Sequence, residues 1–211
     1  MRLRHVKNAF DIIENNRDIA IENPENYKGK WRESFNKSQD SSLSVEVGCG
    51  KGKFLSTMSE ENKNNLFIGL EMMSSVICRA ITKVKEKELT NCLLLNKDCE
   101  HILDYFNEGE VDRIYINFPD PWPKLRHEKR RLTSPRFLEK YKTILKEDGI
   151  LRFKTDNPDL YNYSLETILP LLKDDKKYGE VEYISDTIMT EFESKFREMG
   201  NPIYFIEGSF K

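Results

Sequence analysis

Leu43-Ser44-Val45-Glu46-Val47 runs directly into Gly48-Cys49-Gly50-Lys51-Gly52, and a helical stretch begins at Lys53. This strand, alternate-glycine turn and helix constrain the chain more than any other feature. Glycine permits positive φ and lets a ligand approach the backbone, so such a junction can cradle a small molecule at the end of a parallel strand. The strand–helix alternation then repeats. Leu66–Leu70 reads as a second strand ending at Glu71, and the stretch over 72–87 puts Met72, Val76, Ala80 and Val84 on one helix face. Cys92–Leu95 is expected as a third strand. Val111–Asn117 is expected as a fourth, with Ile114 and Ile116 alternating against Arg113 and Tyr115.

A helix over 135–146, closed by Gly149 as a C-cap, leads to a fifth strand at 149–154. Beyond it the pattern predicts a helix over 158–172, a polar turn over 173–179 and a strand over 181–185. A short helix over 190–199 follows, with Thr190 and Glu193 spaced as a capping box and Gly200 as its stop. A last strand is expected over 202–207. Such alternation defines an α/β domain with a mainly parallel sheet. No internal repeat or low-complexity linker divides it. Residues 1–40, polar and interrupted by Pro24 and Gly29, read as an N-terminal extension, and residues 41–211 as the domain itself.

Of the 211 residues 33% are charged, yet 38% are hydrophobic and 11% aromatic, enough for a core, which excludes disorder throughout. No run of about 20 apolar residues is present to form a membrane span. Met1-Arg2-Leu3-Arg4-His5-Val6-Lys7 is basic without an apolar region behind it, unlike a secretory signal. Cys49, Cys78, Cys92 and Cys99, with His5, His101 and His127, lack the compact spacing of a zinc site. Reduced, mostly buried thiols in a cytoplasmic protein are expected, with no metal. The formal charge of −2 hides an asymmetry. Residues 1–10 carry +3 and residues 124–136 carry +5, leaving −10 for the remainder. An acidic body with two basic segments attracts a polyanion locally.

The glycine spacing is G-x-G-x-G, one residue short of the dinucleotide fingerprint in which the third glycine opens the helix toward a pyrophosphate. That disfavours a nicotinamide oxidoreductase. Four acids follow the strands: Glu46 closes the first, Glu71 the second, Asp98 comes after the third and Asp120 after the fourth. A carboxylate at the end of the second strand suits a ribose diol. Four carboxylates repel phosphate and favour a cation, so S-adenosylmethionine, with its sulfonium, ammonium and ribose, suits Glu46, Gly48, Gly50, Gly52, Glu71, Asp98 and Asp120.

Over nearly its whole length the chain resembles the bacterial tRNA (guanine-N7-)-methyltransferase family. The likeness is carried by Arg2-Leu3-Arg4-His5, by Asn23-Pro24 with Tyr27-Lys28-Gly29-Lys30-Trp31, and by the glycine turn with Ile68-Gly69-Leu70-Glu71. It continues through Asn117-Phe118-Pro119-Asp120-Pro121-Trp122-Pro123-Lys124, His127-Glu128-Lys129-Arg130-Arg131-Leu132 and Phe153-Lys154-Thr155-Asp156-Asn157. Met189-Thr190-Glu191-Phe192-Glu193 with Lys195-Phe196 completes it. The resemblance implies a class I S-adenosylmethionine-dependent methyltransferase, a Rossmann-like seven-stranded, mostly parallel sheet flanked by helices. It implies methyl-donor contacts from Glu46, Glu71, Asp98 and Asp120, and substrate contacts from Lys124, Asp156, Thr190, Glu191, Phe192 and Glu193. It places Arg126, His127, Glu128, Lys129, Arg130 and Arg131 against RNA. Phe192 stands where the family more often has tyrosine, so no phenol is offered there.

The implied reaction methylates N7 of the guanine at tRNA position 46, by a monomer or homodimer that needs no membrane. N7 carries an in-plane lone pair and no proton, so the attack requires no base. Asp120 is the candidate to stabilise the charge that develops on the ring, and Asp156 the candidate reader of guanine's N1–H and amino group. Trp122 either stacks on a base or packs beneath its loop. An RNA exocyclic-amine (adenine or cytosine) methyltransferase is the alternative. Its Asn/Asp-Pro-Pro-aromatic motif is broken here by Phe118 and by Asp120 in the aromatic's place. A non-catalytic RNA-binding protein would be expected to carry a degenerate donor pocket, whereas every acid and glycine is present.

Overall fold

The computed structural model describes residues 6, 8–181, 193, 196 and 198–211. Seven strands form one sheet in the order Cys92–Leu95, Leu66–Leu70, Leu43–Val47, Val111–Asn117, Leu145–Thr155, Tyr204–Ser209 and Lys177–Glu180, and the chain divides into two compact units that meet in sequence between Asn107 and Glu108.

In the first unit, β1 (Leu43–Val47), β2 (Leu66–Leu70) and β3 (Cys92–Leu95) are parallel, with Val45 opposite Ile68 and Ile68 opposite Leu93. Every residue of the three is buried, as strands covered on both faces require. Two helices connect them, α3 (Lys53–Glu61) and α4 (Ser74–Glu86). Val76, Ala80 and Val84 of α4 face the core as the periodicity predicts, but Met72 precedes the helix and is 67% exposed. The helix starts later because Glu71 accepts the Met73 N–H and turns the chain first.

Residues 8–40 are built into this unit. α1 (Ala9–Glu14) packs on α4, and Ala20 forms a parallel bridge with Leu94. α2 (Trp31–Ser34) carries a fully buried Trp31, which stacks on Tyr27 and donates its indole N–H at 2.9 Å to the carbonyl of Tyr105, the last residue of α5 (Ile102–Tyr105).

In the second unit, β4 (Val111–Asn117) and β5 (Leu145–Thr155) are parallel, while β7 (Tyr204–Ser209) runs antiparallel to β5 and to β6 (Lys177–Glu180). α6 (Pro135–Ile144) and α7 (Pro158–Ile168) complete it; α7 continues into a 3-10 turn at Leu169–Leu171. The expected alternation of β4 fails at Tyr115, which is buried, because an interior strand is covered on both faces.

Gly149 is not a C-cap. The helix ends at Ile144 and the chain turns extended at Leu145, so Gly149 lies within β5. There the pairing jumps from Val111–Leu145 to Arg113–Ile150. A Cβ on Gly149 would meet the Leu145 side chain and the Lys146 carbonyl, both at 2.9 Å, so glycine serves packing there.

The end of the expected polar turn, Lys177–Glu180, is the strand β6. Three of its four residues are exposed, so pairing with β7 rather than apolar content makes it a strand. Residues 182–185 and Thr190 lie outside the described residues; Glu193, Phe196 and Glu198 are helical, as expected.

Candidate active site

The methyl-donor candidates of the first unit gather at the carboxyl ends of its parallel strands. Gly48, Gly50 and Gly52 have φ of 74°, 57° and 70°, the left-handed region that L side chains resist. The Gly48 and Cys49 N–H groups both donate to the Leu70 carbonyl, at 2.8 and 2.9 Å, which ties the turn to the end of β2. A Cβ on Gly52 would sit 2.8 Å from the Ala80 Cβ, so this glycine lets α3 approach α4. A Cβ on Gly50 would meet nothing within 4 Å, and the backbone there is open to a ligand.

Glu71 spans the turn: its Oε2 accepts the Gly50 N–H at 3.3 Å and its Oε1 the Met73 N–H at 2.9 Å. Glu46 is buried in β1. Asp98 is exposed, and its Oδ1 accepts the Glu100 N–H at 2.9 Å, capping a short 3-10 turn. Asn96 was not a sequence candidate, yet it donates to the Glu71 carbonyl at 2.8 Å and accepts from the Ser74 hydroxyl at 2.8 Å. Its place directly after β3 was the available signal. Burial, reinforced by the Glu46 carboxylate, pushes the Cys49 and Cys92 thiols well up, so both stay protonated and inert. Cys78 is also buried, and Cys99 is half-buried, and none of the four forms a disulfide.

The second unit holds the substrate candidates. β4 delivers the chain into Phe118-Pro119-Asp120-Pro121-Trp122, where Phe118 and Trp122 have φ of 50° and 42°. The Phe118 N–H donates to the Lys154 carbonyl at 2.8 Å, and Asp120 is exposed between its prolines. Trp122 meets the His127 ring edge-on at 5.5 Å between centroids, and the Arg130 guanidinium lies 5.0 Å from its ring centre. Packing within its own loop therefore engages this tryptophan.

Lys124, Arg126, Lys129 and Arg130 are exposed; His127, Glu128 and Arg131 are half-buried. Asp156 follows β5 and is half-buried; burial pushes its carboxyl above the usual carboxylate range, against a lowering from its own backbone N–H. Asn157 next to it caps α7, its Oδ1 accepting the Leu160 N–H at 2.8 Å. Glu193 is fully buried and pairs with Lys154 Nζ at 3.1 Å, so its carboxylate serves that cation as well as any cap. Lys154 was not singled out from sequence; a lysine between Phe153 and Thr155 in a buried strand demands a carboxylate partner, and that was its signal. Tyr163 was missed with no comparable signal. Thr190, Glu191 and Phe192 lie outside the described residues.

A mostly parallel seven-stranded sheet with flanking helices, a glycine turn after its first strand and acids at the strand ends define a class I S-adenosylmethionine-dependent methyltransferase fold. Residues 40–206 match the family model described as "Putative methyltransferase". The tRNA (guanine-N(7)-)-methyltransferase of Bacillus subtilis (strain 168) is 46% identical over 213 residues, covering 98% of each chain. The enzyme of that name from Lachnoclostridium phytofermentans is 45% identical over 97% of this chain and 96% of its own. Among solved structures, the 16S rRNA methyltransferase KamB superposes with a TM-score of 0.64 at 17% identity, covering 87% of this chain and 94% of that one. The tRNA (m1A58) methyltransferase TrmI of Aquifex aeolicus does so at 0.56 and 18%, covering 96% and 76%. These two show the fold. The chain belongs to the tRNA (guanine-N7-)-methyltransferase family.

Proposed function

We propose that this enzyme transfers a methyl group from S-adenosylmethionine to N7 of the guanine at tRNA position 46, in the variable loop, forming 7-methylguanosine. The end-to-end match at 46% identity to an enzyme of that name carries the reading. The residues present fit the donor. The backbone at Gly50 is open, Glu71 stands across the turn as an acceptor for ribose hydroxyls, and Glu46 and Asp98 add negative charge suited to a cationic ligand. Asp120 is assigned to the donor set as well.

S-adenosylmethionine supplies a methyl group made electrophilic by its sulfonium. Guanine N7 presents its lone pair unprotonated, so the chain's contribution is placement, which can lower a barrier by about 7–11 kcal/mol at best. Asp156 accepts from the guanine N1–H and amino group and fixes the base in its plane. Asp120, as carboxylate, stabilises the positive charge that methylation leaves on the imidazole ring. Lys124, with Thr190, Glu191, Phe192 and Glu193, completes the substrate side. Arg126, His127, Lys129 and Arg130 meet the RNA, with Glu128 and Arg131 in the same segment.

The test is to incubate the protein with isotope-labelled S-adenosylmethionine and unmodified tRNA and to map labelled nucleosides by mass spectrometry. Label in 7-methylguanosine from the variable loop is expected. Label in a methylated adenosine or cytidine would move the assignment to an exocyclic-amine methyltransferase, and tight tRNA binding without label would point to a binding protein.

A further inference from the structure

Arg131 sits in the basic run, but its guanidinium is turned onto its own chain. Nε donates to the Pro121 carbonyl at 3.2 Å and Nη2 to the Trp122 carbonyl at 3.2 Å. The guanidinium carbon lies 4.3 Å from the centre of the Tyr163 ring. Tyr163, on α7, donates its hydroxyl to Glu128 Oε1 at 2.9 Å, and the Arg131 N–H in turn donates to the Glu128 carbonyl at 2.9 Å. The next residue, Ser164, meets the Thr133 hydroxyl with its own at 2.9 Å, and one turn on from Tyr163 the Thr167 hydroxyl donates to the Thr133 carbonyl at 2.9 Å. Thr133 and Ser164 are fully buried.

The loop these contacts hold is one that would not hold itself. Phe118 and Trp122 bracket Pro119-Asp120-Pro121 in left-handed backbone, which a residue with a side chain resists. Two carbonyls at its end are satisfied by one planar cation, whose fork spans both acceptors in a way a lysine ammonium does not.

We propose that Arg131 and Tyr163 are positioning residues: Tyr163 on α7 fixes the Arg131 guanidinium, which clamps the Pro121 and Trp122 carbonyls and so sets the Asp120 carboxylate. Because α7 starts two residues after Asp156, behind its cap Asn157, one helix then orients both acids assigned to the base. The proposal rests on the methyltransferase reading for its kinetic consequence, but not for its structural one.

The test compares Arg131→Lys, Arg131→Met and Tyr163→Phe with wild type by tRNA-methylation kinetics at several salt concentrations. It also follows the Trp122 indole N–H resonance of the free proteins, assigned with a Trp122→Phe variant. Arg131→Lys keeps the charge and loses the fork. It is expected to lower kcat by about 10–100-fold, since an ångström-scale misplacement costs that much. KM for tRNA and the salt slope should stay near wild type, and the Trp122 resonance should move. Tyr163→Phe keeps the ring beneath the guanidinium and shifts kcat and resonance the same way by less. An unmoved resonance with wild-type kcat in Arg131→Lys would overturn the proposal. So would a raised KM and a flatter salt slope in Arg131→Met at unchanged kcat, the behaviour of a phosphate contact. If wild type labels no guanine in tRNA, the functional reading fails, while the resonance still decides the clamp.

Discussion

A carboxylate that stabilises charge on a methylated base must be ionised and reachable, and Asp120 is exposed on a loop stiffened by Pro119 and Pro121. Asp120→Asn keeps the shape and removes the charge. Single-turnover methylation should slow by about 10²–10³-fold, the usual loss when one preorganised electrostatic group is removed, with tRNA affinity nearly unchanged. Full turnover with an unchanged pH profile would end the charge-stabilising role.

Asp156 behaves differently. Burial holds its folded-state pKa above the unfolded value, so the folded chain binds that proton more tightly. This contribution to stability is present at low pH and declines as pH rises from the ordinary carboxylate range through the raised pKa. Above that window the buried charge remains as a penalty. Asp156→Asn removes it: the variant should melt higher than wild type at neutral pH, with the difference shrinking in acid, while guanine methylation falls. Calorimetry across pH checks this, and a variant that melts lower at neutral pH would show that Asp156 stabilises rather than strains the fold.

At the scale of elements, two of the three glycines after β1 separate strain from contact. Gly50→Ala meets only left-handed backbone and should cost about 1–2 kcal/mol. Gly52→Ala meets the same strain and drives its Cβ to 2.8 Å from Ala80, so α3 and α4 must part, for about 1–3 kcal/mol more. Denaturant melts of the two variants should rank in that order; equal midpoints would mean that the helices yield freely.

The first four strands were legible residue for residue because each is a fully or largely apolar run bounded by polar or glycine residues. β6 was not, since Lys177, Tyr178 and Glu180 are exposed and only the partner strand specifies them. Gly149 misled because a glycine after a helix reads as a cap, whereas a register shift in β5 claims it. Among the site residues, the glycine turn and Glu71 could be read from adjacency along the chain. The Tyr163–Arg131 contact could not, being a tertiary pairing between residues 32 positions apart with no pattern to announce it.

For the molecule as a whole, charge sign and position matter more than the total of −2. A phosphate backbone is repelled by most of this chain and attracted by residues 1–10 and, more strongly, 124–136, so few contacts should carry the electrostatic part of tRNA binding. Each phosphate neutralised contributes about 0.7–0.9 to the log–log salt slope of the association constant. Lys129 and Arg130 are exposed, although Arg130 also covers Trp122, while Arg131 is spent on the loop. Lys129→Gln with Arg130→Gln should therefore flatten the slope by about 1.4–1.8 and raise KM for tRNA most at low salt, on the same phosphate accounting. Filter binding over a salt series reads this directly. A slope unchanged in the double variant would make the basic run a solvated surface and shift the search for the RNA contact to other cations of the chain.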